Sequence, residues 1–265
     1  MINNSYTSIK IFHSSFLSCV SYSNYGGAIY LNVKESVTKY CIGNGCYSEY
    51  MGLFIYSIAN STKDNQLMCS SILKCAPLIK STQIVTTALD NGIIIADSSN
   101  ISNNYASRVP GIIGYKSESK VFRFLNIVHN YCESKVIQTN GGKDNLIEYS
   151  NFCFNNVSID YHIAIHPTSH GFKWMFNKCI VSGNSPSKIT FQSHAEEYSS
   201  LILFTQSFIE AYSPISFVST SSNIASSTII NLGNVFSKNC PTFYTLKQNT
   251  KIRYDFLVFL CLTEH

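Results

Sequence analysis

The sequence predicts an all-β fold, a single-stranded right-handed parallel β-helix of about nine coils of ~28 residues. Three observations support this prediction. A pattern of polar and apolar residues recurs at intervals of 25 to 30 residues. Within each interval the apolar segments are short, and Gly, Asn, Ser and Pro bound them. Finally, only 13% of the 265 residues are charged, although 45% are hydrophobic.

This composition favours strands and turns. A globular protein has roughly 25% charged residues, whereas here Ser, Asn and Tyr replace the missing charges. The net charge is +4 and the Lys and Arg residues are scattered singly, so we expect no nucleic-acid partner. The apolar run 256–262 is shorter than the ~20 residues of a membrane helix, so we expect no membrane span. Residues 1–16 are polar and lack the apolar core of a signal peptide.

The repeat consists of a short polar residue, a large apolar residue, two spacers, and then Cys, Asn, Gly or Ala, as in Ser15-Phe16-Leu17-Ser18-Cys19. We call the large apolar residue the anchor. The anchors are Phe16, Ile42, Ile72, Ile101, Ile127, Phe152, Ile180, Phe208 and Phe236. Their successive spacings are 26, 30, 29, 26, 25, 28, 28 and 28 residues.

Two further columns test this repeat independently of the choice of anchors. The residues five positions before the anchors are Ile11, Val37, Leu67, Ala96, Phe122, Ile147, Met175, Leu203 and Asn231. Eight of these nine are apolar, whereas a hydrophobic share of 45% predicts about four. The residues one position before are Ser15, Cys41, Ser71, Asn100, Asn126, Asn151, Cys179, Ser207 and Val235. Eight of these are Ser, Cys or Asn, so the repeat passes both tests.

A second apolar segment follows each anchor. These segments are residues 28–31, 53–56, 78–79, 112–113, 136–137, 163–165, 189–191, 215–217 and 243–244. Equivalent strands of successive coils would pair in parallel at roughly 4.8 Å. Inward side chains would form apolar stacks, and corner Asn and Ser would form hydrogen-bonded ladders. The predicted repeats occupy residues 1–250, and residues 251–265 form a C-terminal tail or incomplete coil.

One stretch, Tyr25-Gly26-Gly27-Ala28-Ile29, resembles the GGAI motif of the polymorphic outer membrane protein repeats found in chlamydial and trichomonad surface proteins. That family pairs GGAI with FxxN, which matches Phe152-Cys153-Phe154-Asn155 and Phe236-Ser237-Lys238-Asn239. The resemblance implies a pectin-lyase-like solenoid and a role in adhesion at a cell surface. Only one clean GGAI copy exists, while segments 51–54 and 110–113 are decayed versions.

Several residues are candidates for chemistry. Asp97, Arg123 and Glu148 stand four positions before successive anchors, and we interpret them as an outward ladder of alternating charge rather than as a catalytic pair. His162, His166 and His170 recur every four residues, but we expect surface or corner histidines because no fourth metal ligand accompanies them. We therefore predict no catalytic residue, no metal site and no cofactor.

The cysteines, aromatic residues and glycines have structural interpretations. Cys19, Cys75 and Cys240 fall near one turn of their units, as do Cys41 and Cys179, where cysteine suits a stacked corner. A Cys41–Cys46 disulfide is an alternative if the chain is extracellular. Trp174 and the 17 tyrosines offer a carbohydrate-stacking face, although we favour packing. We interpret Gly26-Gly27 and Gly141-Gly142 as turn or close-packing glycines, because no helix follows them.

Two functional hypotheses remain. The first is a non-catalytic scaffold, a cell-surface or secreted adhesion module and glycoprotein that binds a host or cell-surface protein or glycan. The four Asn-x-Ser/Thr triplets at residues 3, 60, 100 and 156 fit that location. The alternative is a polysaccharide lyase or hydrolase of pectate-lyase architecture. The first residues already resemble a repeat interior, which favours a segment of a longer chain.

Overall fold

The fold was analysed in a computed structural model. It describes residues 2–22, 25–77, 84–117, 119–142, 144–158, 163–166, 173–185, 191–193, 201–205 and 207–209. These residues form a parallel β-helix, in which every strand pairs in parallel with the equivalent strand one coil away, and they contain no helix. The prediction of an all-β parallel β-helix is confirmed.

Each coil has four sides, which we number in chain order. Sides 1 and 2 are merged into one long strand in the first two coils, Ile2–Phe12 and Ile29–Lys39. Later side-1 strands are Met51–Ile58, Val85–Asp90, Val109–Tyr115, Ile137–Asn140, Ile163–His166 and Phe191–Ser193. Later side-2 strands are Asp64–Met68, Ile93–Asp97, Ser119–Arg123, Asp144–Glu148, Lys173–Asn177 and Leu201–Thr205.

Sides 3 and 4 consist of very short strands. The side-3 strands are Ser15–Leu17, Ile42–Asn44, Ser71–Leu73, Asn100–Ser102, Asn126–Val128, Asn151–Cys153, Ile180–Ser182 and Phe208–Ile209. The side-4 strands are Val20–Ser21, Tyr47–Ser48, Ala76–Pro77, Tyr105–Ala106, Tyr131–Cys132 and Asn156–Val157. About six turns are complete, with partial coils at both ends. The sequence predicted nine coils. The ninth, at Phe236, and the tail 251–265 lie outside the described residues.

Side 3 is short because a left-handed residue stands at each of its ends. Corner 2/3 has positive φ at His13, Tyr40, Cys69, Ser98, Phe124, Tyr149 and Lys178. Corner 3/4 has it at Ser18, Gly45, Lys74, Asn103, His129, Phe154 and Gly183. An L-residue rarely adopts this conformation, so its recurrence in each coil indicates that stacking holds it. Rings of neighbouring coils lie parallel here, with centroids 5.0 Å apart for Phe124 and Tyr149 and 5.2 Å apart for His129 and Phe154.

A ladder of serine and cysteine runs along corner 2/3, beside the left-handed residues. Its members are Ser14, Cys41, Ser70, Ser99, Ser150, Cys179 and Ser207, and Leu125 interrupts it between Ser99 and Ser150. The backbone N–H groups of Cys41 and Cys179 donate to the Oγ atoms of Ser70 and Ser207, at 3.2 and 3.0 Å. The predicted stacking of Cys41 with Cys179 in one column is therefore confirmed, but of the serines predicted in their column only Ser207 lies there, because Ser15 and Ser71 pair with Ile42 on side 3.

Three predicted anchors were wrong by one residue. Phe16 faces Gly43 and Gly43 faces Ile72, so the inward residue of the second coil is Gly43 and not Ile42. The Phe54 ring occupies the space that a side chain at Gly43 would need, so this inward position holds glycine. The apolar residue that the sequence pattern identified is therefore its neighbour, Ile42. Likewise Phe152 faces Val181, and Val181 faces Ile209, instead of Ile180 and Phe208.

The same shift affects the two test columns. The true inward column on side 2 is Ile11, Thr38, Leu67, Ala96, Phe122, Ile147 and Phe176, and Phe204 is the register partner of Phe176 on the next strand. These residues replace Val37, Met175 and Leu203, each one residue early, while Asn231 lies outside the described residues. In the second test column, which begins at Ser15, the residues that share its register are Ile42, Ile180 and Phe208 and not Cys41, Cys179 and Ser207. The segment 78–79 also lies outside the described residues, and the side-1 strand of that coil is Val85–Asp90.

Candidate functional site

The charge ladder has the predicted register. Asp97 faces Arg123 and Arg123 faces Glu148 on successive side-2 strands. Arg123 Nε donates to Asp97 Oδ2 at 2.7 Å, and Ser98 Oγ donates to Asp97 Oδ1 at 2.8 Å. The Asp97 side chain is 9% exposed and that of Arg123 43%, so only the arginine faces outward clearly. Both Asp97 oxygens thus have structural partners, which fits a ladder better than a catalytic acid.

Only one of the three predicted histidines lies among the described residues. His166 is the last residue of the strand Ile163–His166, whereas His162 and His170 lie outside the described residues. Within the residues that the structure describes, no group of three or more His, Cys, Asp or Glu residues is arranged to hold a metal ion.

The Trp174 side chain belongs to the core. It is fully buried, and its ring lies 6.3 Å from that of Phe122 and 6.4 Å from that of Phe176, between centroids. The packing interpretation is confirmed for this residue, and a sugar-stacking role is wrong for it.

Four tyrosines make ring contacts with one another on side 1. We call this group, Tyr25, Tyr30, Tyr50 and Tyr56, the tyrosine face. The Tyr25 centroid lies 5.8 Å from Tyr30, 5.8 Å from Tyr50 and 5.0 Å from Tyr56. Tyr30 and Tyr56 are register partners on adjacent strands, with centroids 5.8 Å apart. All four side chains are half-buried, so each ring is both held and partly accessible.

A small apolar cluster outside the main core supports one edge of the tyrosine face. Val85, Ala88, Val109 and Ile113 are fully buried in it, and Met51, Tyr56 and Tyr115 pack against them. Register explains the arrangement, because the outward column of side 1 runs through Tyr30, Tyr56, Ala88 and Ile113. The spacing of 26 residues between the Ile-Tyr pairs at 29–30 and 55–56 is the sequence signal for this face.

A buried carboxylate borders the tyrosine face. The Tyr56 hydroxyl donates to Asp90 Oδ2 at 3.5 Å, while Asp90 Oδ1 is buried without a hydrogen-bond partner. Burial raises the pKa of Asp90, and the charge of Lys116 opposes that shift. Burial and then the negative charge of Asp90 raise the pKa of Tyr56. The Tyr56 phenol is therefore neutral at ordinary pH.

The cysteine positions depart from one expectation. Cys19 and Cys75 share corner 3/4 as predicted, but Cys46 joins them there, and Cys240 lies outside the described residues. Cys41 and Cys46 are free thiols that flank the strand Ile42–Asn44 in two different columns. The alternative of a Cys41–Cys46 disulfide is therefore not the arrangement in this structure.

The glycine pairs serve close packing, as predicted. A Cβ atom at Gly27 would overlap the backbone of Leu53 and Tyr47, and Gly26 has a φ of 66°. Gly141 and Gly142 also have positive φ, and the Gly141 carbonyl accepts a 2.9 Å hydrogen bond from Lys120 Nζ.

Lys120 is a buried cation that the sequence analysis missed. Its side chain is fully buried, and Nζ also donates to the Ser117 carbonyl at 2.9 Å. Desolvation lowers its pKa to about 7.

No family model matches the chain, and no curated protein and no solved structure matches it either. The resemblance to polymorphic outer membrane protein repeats therefore stays a prediction, although the parallel β-helix that it implied is present. In the described ranges, no helix is long and apolar enough to cross a membrane.

Proposed function

We propose that the chain is a non-catalytic β-helical scaffold, an adhesion or interaction module at a cell surface that binds a glycan through the tyrosine face. The observation that carries this proposal is the set of ring contacts that Tyr25 makes with Tyr30, Tyr50 and Tyr56. Partly accessible aromatic rings combine an apolar surface with a polar hydroxyl, a combination suited to sugar rings.

Preorganisation supports the proposal. The parallel strands fix the backbone under Tyr30 and Tyr56, and the apolar cluster packs against Tyr56. The rings therefore lose little conformational freedom when a ligand binds, which lowers the cost of association. Asp90 accepts a hydrogen bond from the Tyr56 hydroxyl, so the lone pairs of that hydroxyl are oriented for a sugar hydroxyl donor.

The charge ladder supports a non-catalytic role. A polysaccharide lyase or hydrolase needs a carboxylate available as acid, base, nucleophile or metal ligand. Asp97 instead accepts hydrogen bonds from Arg123 and Ser98. The scarcity of charge and three of the four glycosylation triplets, those at the exposed Asn3, Asn60 and Asn156, are in keeping with a surface location, whereas Asn100 is buried.

A glycan-array measurement tests the proposal. We expect the wild-type chain to bind a subset of glycans, and Tyr25→Ala and Tyr56→Ala to weaken that binding about tenfold, which corresponds to ~1.4 kcal/mol. Tyr105→Ala is the matched control, because Tyr105 stacks on Tyr131 at 5.2 Å on side 4. Equal losses in the control, or binding only to immobilised proteins, would contradict the proposal.

An activity assay separates the scaffold from the enzyme. The chain is incubated with acidic polysaccharides and calcium, and unsaturated or reducing ends are measured. We expect no release of either end. Turnover that is abolished by Asp97→Asn or Glu148→Gln would establish the lyase or hydrolase alternative.

A further inference from the structure

Three thiols are stacked along corner 3/4 in the first three coils. Cys19, Cys46 and Cys75 each directly precede the corresponding side-4 strand. The N–H of Tyr47 donates to the Cys19 carbonyl at 2.8 Å, and that of Ala76 donates to the Cys46 carbonyl at 3.2 Å, which fixes the register. Paired parallel strands lie about 4.8 Å apart. This separation falls within the ~4.4–6.8 Å between Cα atoms that a disulfide spans.

The three thiols differ in ionisation and in access. A hydrogen bond from Cys75, assisted by one from Cys19, lowers the pKa of Cys46 to about 7. The hydrogen bond to Cys46, and then burial, raise the pKa of Cys75. Cys46 and Cys75 are fully buried, whereas Cys19 is partly exposed. Burial raises the pKa of Cys19. An oxidant from solution nevertheless meets Cys19 first, because it is the accessible thiol, and the thiol with the lowered pKa lies directly behind it.

We infer that Cys19 and Cys46 form a redox modification site, at which a small-molecule disulfide such as glutathione disulfide links the first coil to the second. Cys19 Sγ attacks one glutathione sulfur, the S–S bond of glutathione disulfide breaks, and the departing thiolate takes the Cys19 proton. The Cys46 thiolate then attacks Cys19 Sγ and expels the second glutathione. Two protein thiols are thereby oxidised to one disulfide, and one glutathione disulfide is reduced to two glutathione molecules.

The modification would link the first coil, which has a neighbouring coil on one side only, to the second. The strands Ile2–Phe12, Ser15–Leu17 and Val20–Ser21 pair with a neighbouring coil on one side only. Side chains of this coil are exposed, with Tyr6 at 90% and Tyr22 at 78%. A bond from residue 19 to residue 46 restricts local opening of this coil, because it closes the loop between them.

The test is disulfide mapping of the full chain. The protein is equilibrated in glutathione buffers of increasing oxidised fraction, the remaining thiols are alkylated in denaturant, and peptides are identified by mass spectrometry. We expect a Cys19–Cys46 bond with Cys75 alkylated. We also expect cleavage in residues 2–22 by a non-specific protease to slow about tenfold or more.

The variants distinguish this site from general thiol oxidation. Cys19→Ser and Cys46→Ser should abolish both the bond and the protection, whereas Cys41→Ser should retain both because Cys41 belongs to the other corner. A Cys46–Cys75 bond, a Cys41–Cys46 bond, or no bond at any glutathione ratio in the folded wild-type chain would overturn the inference.

Discussion

Two corners of the same coil bury polar side chains in opposite ways. At corner 3/4, Asn104, Asn130, Asn155 and Asn184 form a column of identical residues. The Oδ1 atoms of Asn130, Asn155 and Asn184 each accept from the backbone N–H and the side-chain amide of the asparagine in the preceding coil, as Asn130 does from Asn104 at 3.0 and 3.1 Å. Asn130 Nδ2 also donates to the Ile101 carbonyl at 2.9 Å. Each repeated asparagine thus forms hydrogen bonds with its copies in the neighbouring coils along the axis.

At corner 1/2 the residue type changes from coil to coil. The inward column there runs through Asn65, Ile94, Lys120, Asn145 and Trp174. Asn65 donates to three backbone carbonyls, whereas neither amide atom of Asn145 has a hydrogen-bond partner. Lys120 Nζ donates to two backbone carbonyls, and burial lowers the pKa of this lysine. A solitary polar group therefore relies on nearby backbone, and an ionisable one changes its protonation state instead.

The largest effect is expected from breaking the repeated column. Asn130→Ala removes four hydrogen bonds and leaves the buried Asn104 N–H and Ile101 carbonyl without these partners. We expect a loss of roughly 3–5 kcal/mol in the free energy of unfolding, measured by urea denaturation.

Asn126→Ala is the control for that loss. Asn126 lies in the same coil but is half-buried, and its Nδ2 donates to Asn100 Oδ1 at 2.9 Å. We expect this variant to lose about 1 kcal/mol or less. Equal losses in the two variants would show that the inner column contributes no more than a surface ladder.

The sequence was most informative where residues repeat. The strong copies of the motif, at Phe16, Ile72, Ile101, Ile127 and Phe152, all occupy the inward position of side 3. The FxxN half of the motif also has a physical basis, because its Phe faces inward and its Asn belongs to the ladder of corner 3/4. Asn155, for example, donates to the Ile127 carbonyl at 2.9 Å.

The sequence failed where hydrophobicity alone decided between neighbours. Ile180 and Val181 are both apolar, and only the spacing to Asn184 identifies Val181 as the inward residue. Neither the position of the tyrosine face nor the environment of Lys120 was identified from the sequence. Lys120 follows a corner whose chain length varies between coils, so a fixed period does not align it, whereas the Ile-Tyr pairs at 29–30 and 55–56 are a periodic signal that was not used.

An intermediate effect is expected from Lys120 and pH. Its pKa is about 7 in the folded chain, below the usual 10.5. Between these values the unfolded chain holds a proton that the folded chain has released, so stability rises with pH and is lost as pH falls toward 7. From pH 7.5 to 9.5 we expect a gain of about 2 kcal/mol in unfolding free energy relative to Lys120→Met. Parallel pH profiles for the two proteins would contradict the lowered pKa.

The smallest effect comes from extending the asparagine column into the thiol stack. The Cys75 N–H already donates to Asn104 Oδ1 at 2.9 Å, so the asparagine column ends at Asn104 and the thiol stack begins in the adjacent coil, at Cys75. Cys75→Asn places an amide where Oδ1 can accept from the Cys46 N–H and Nδ2 can donate to Asn104 Oδ1. We expect a gain of about 1 kcal/mol in urea denaturation, because these hydrogen bonds are stronger than the 3.6 Å contact from Cys75 Sγ to the Leu73 carbonyl.

Cys132→Asn is the matched control, since Cys132 is equally buried but lies on a side-4 strand outside the column. An amide there has no ladder to join, so we expect a loss of about 1–3 kcal/mol. A gain at both positions would mean that asparagine is favourable at any buried site of this β-helix. A loss at both would contradict the prediction, because it would mean that an amide at position 75 does not join the ladder.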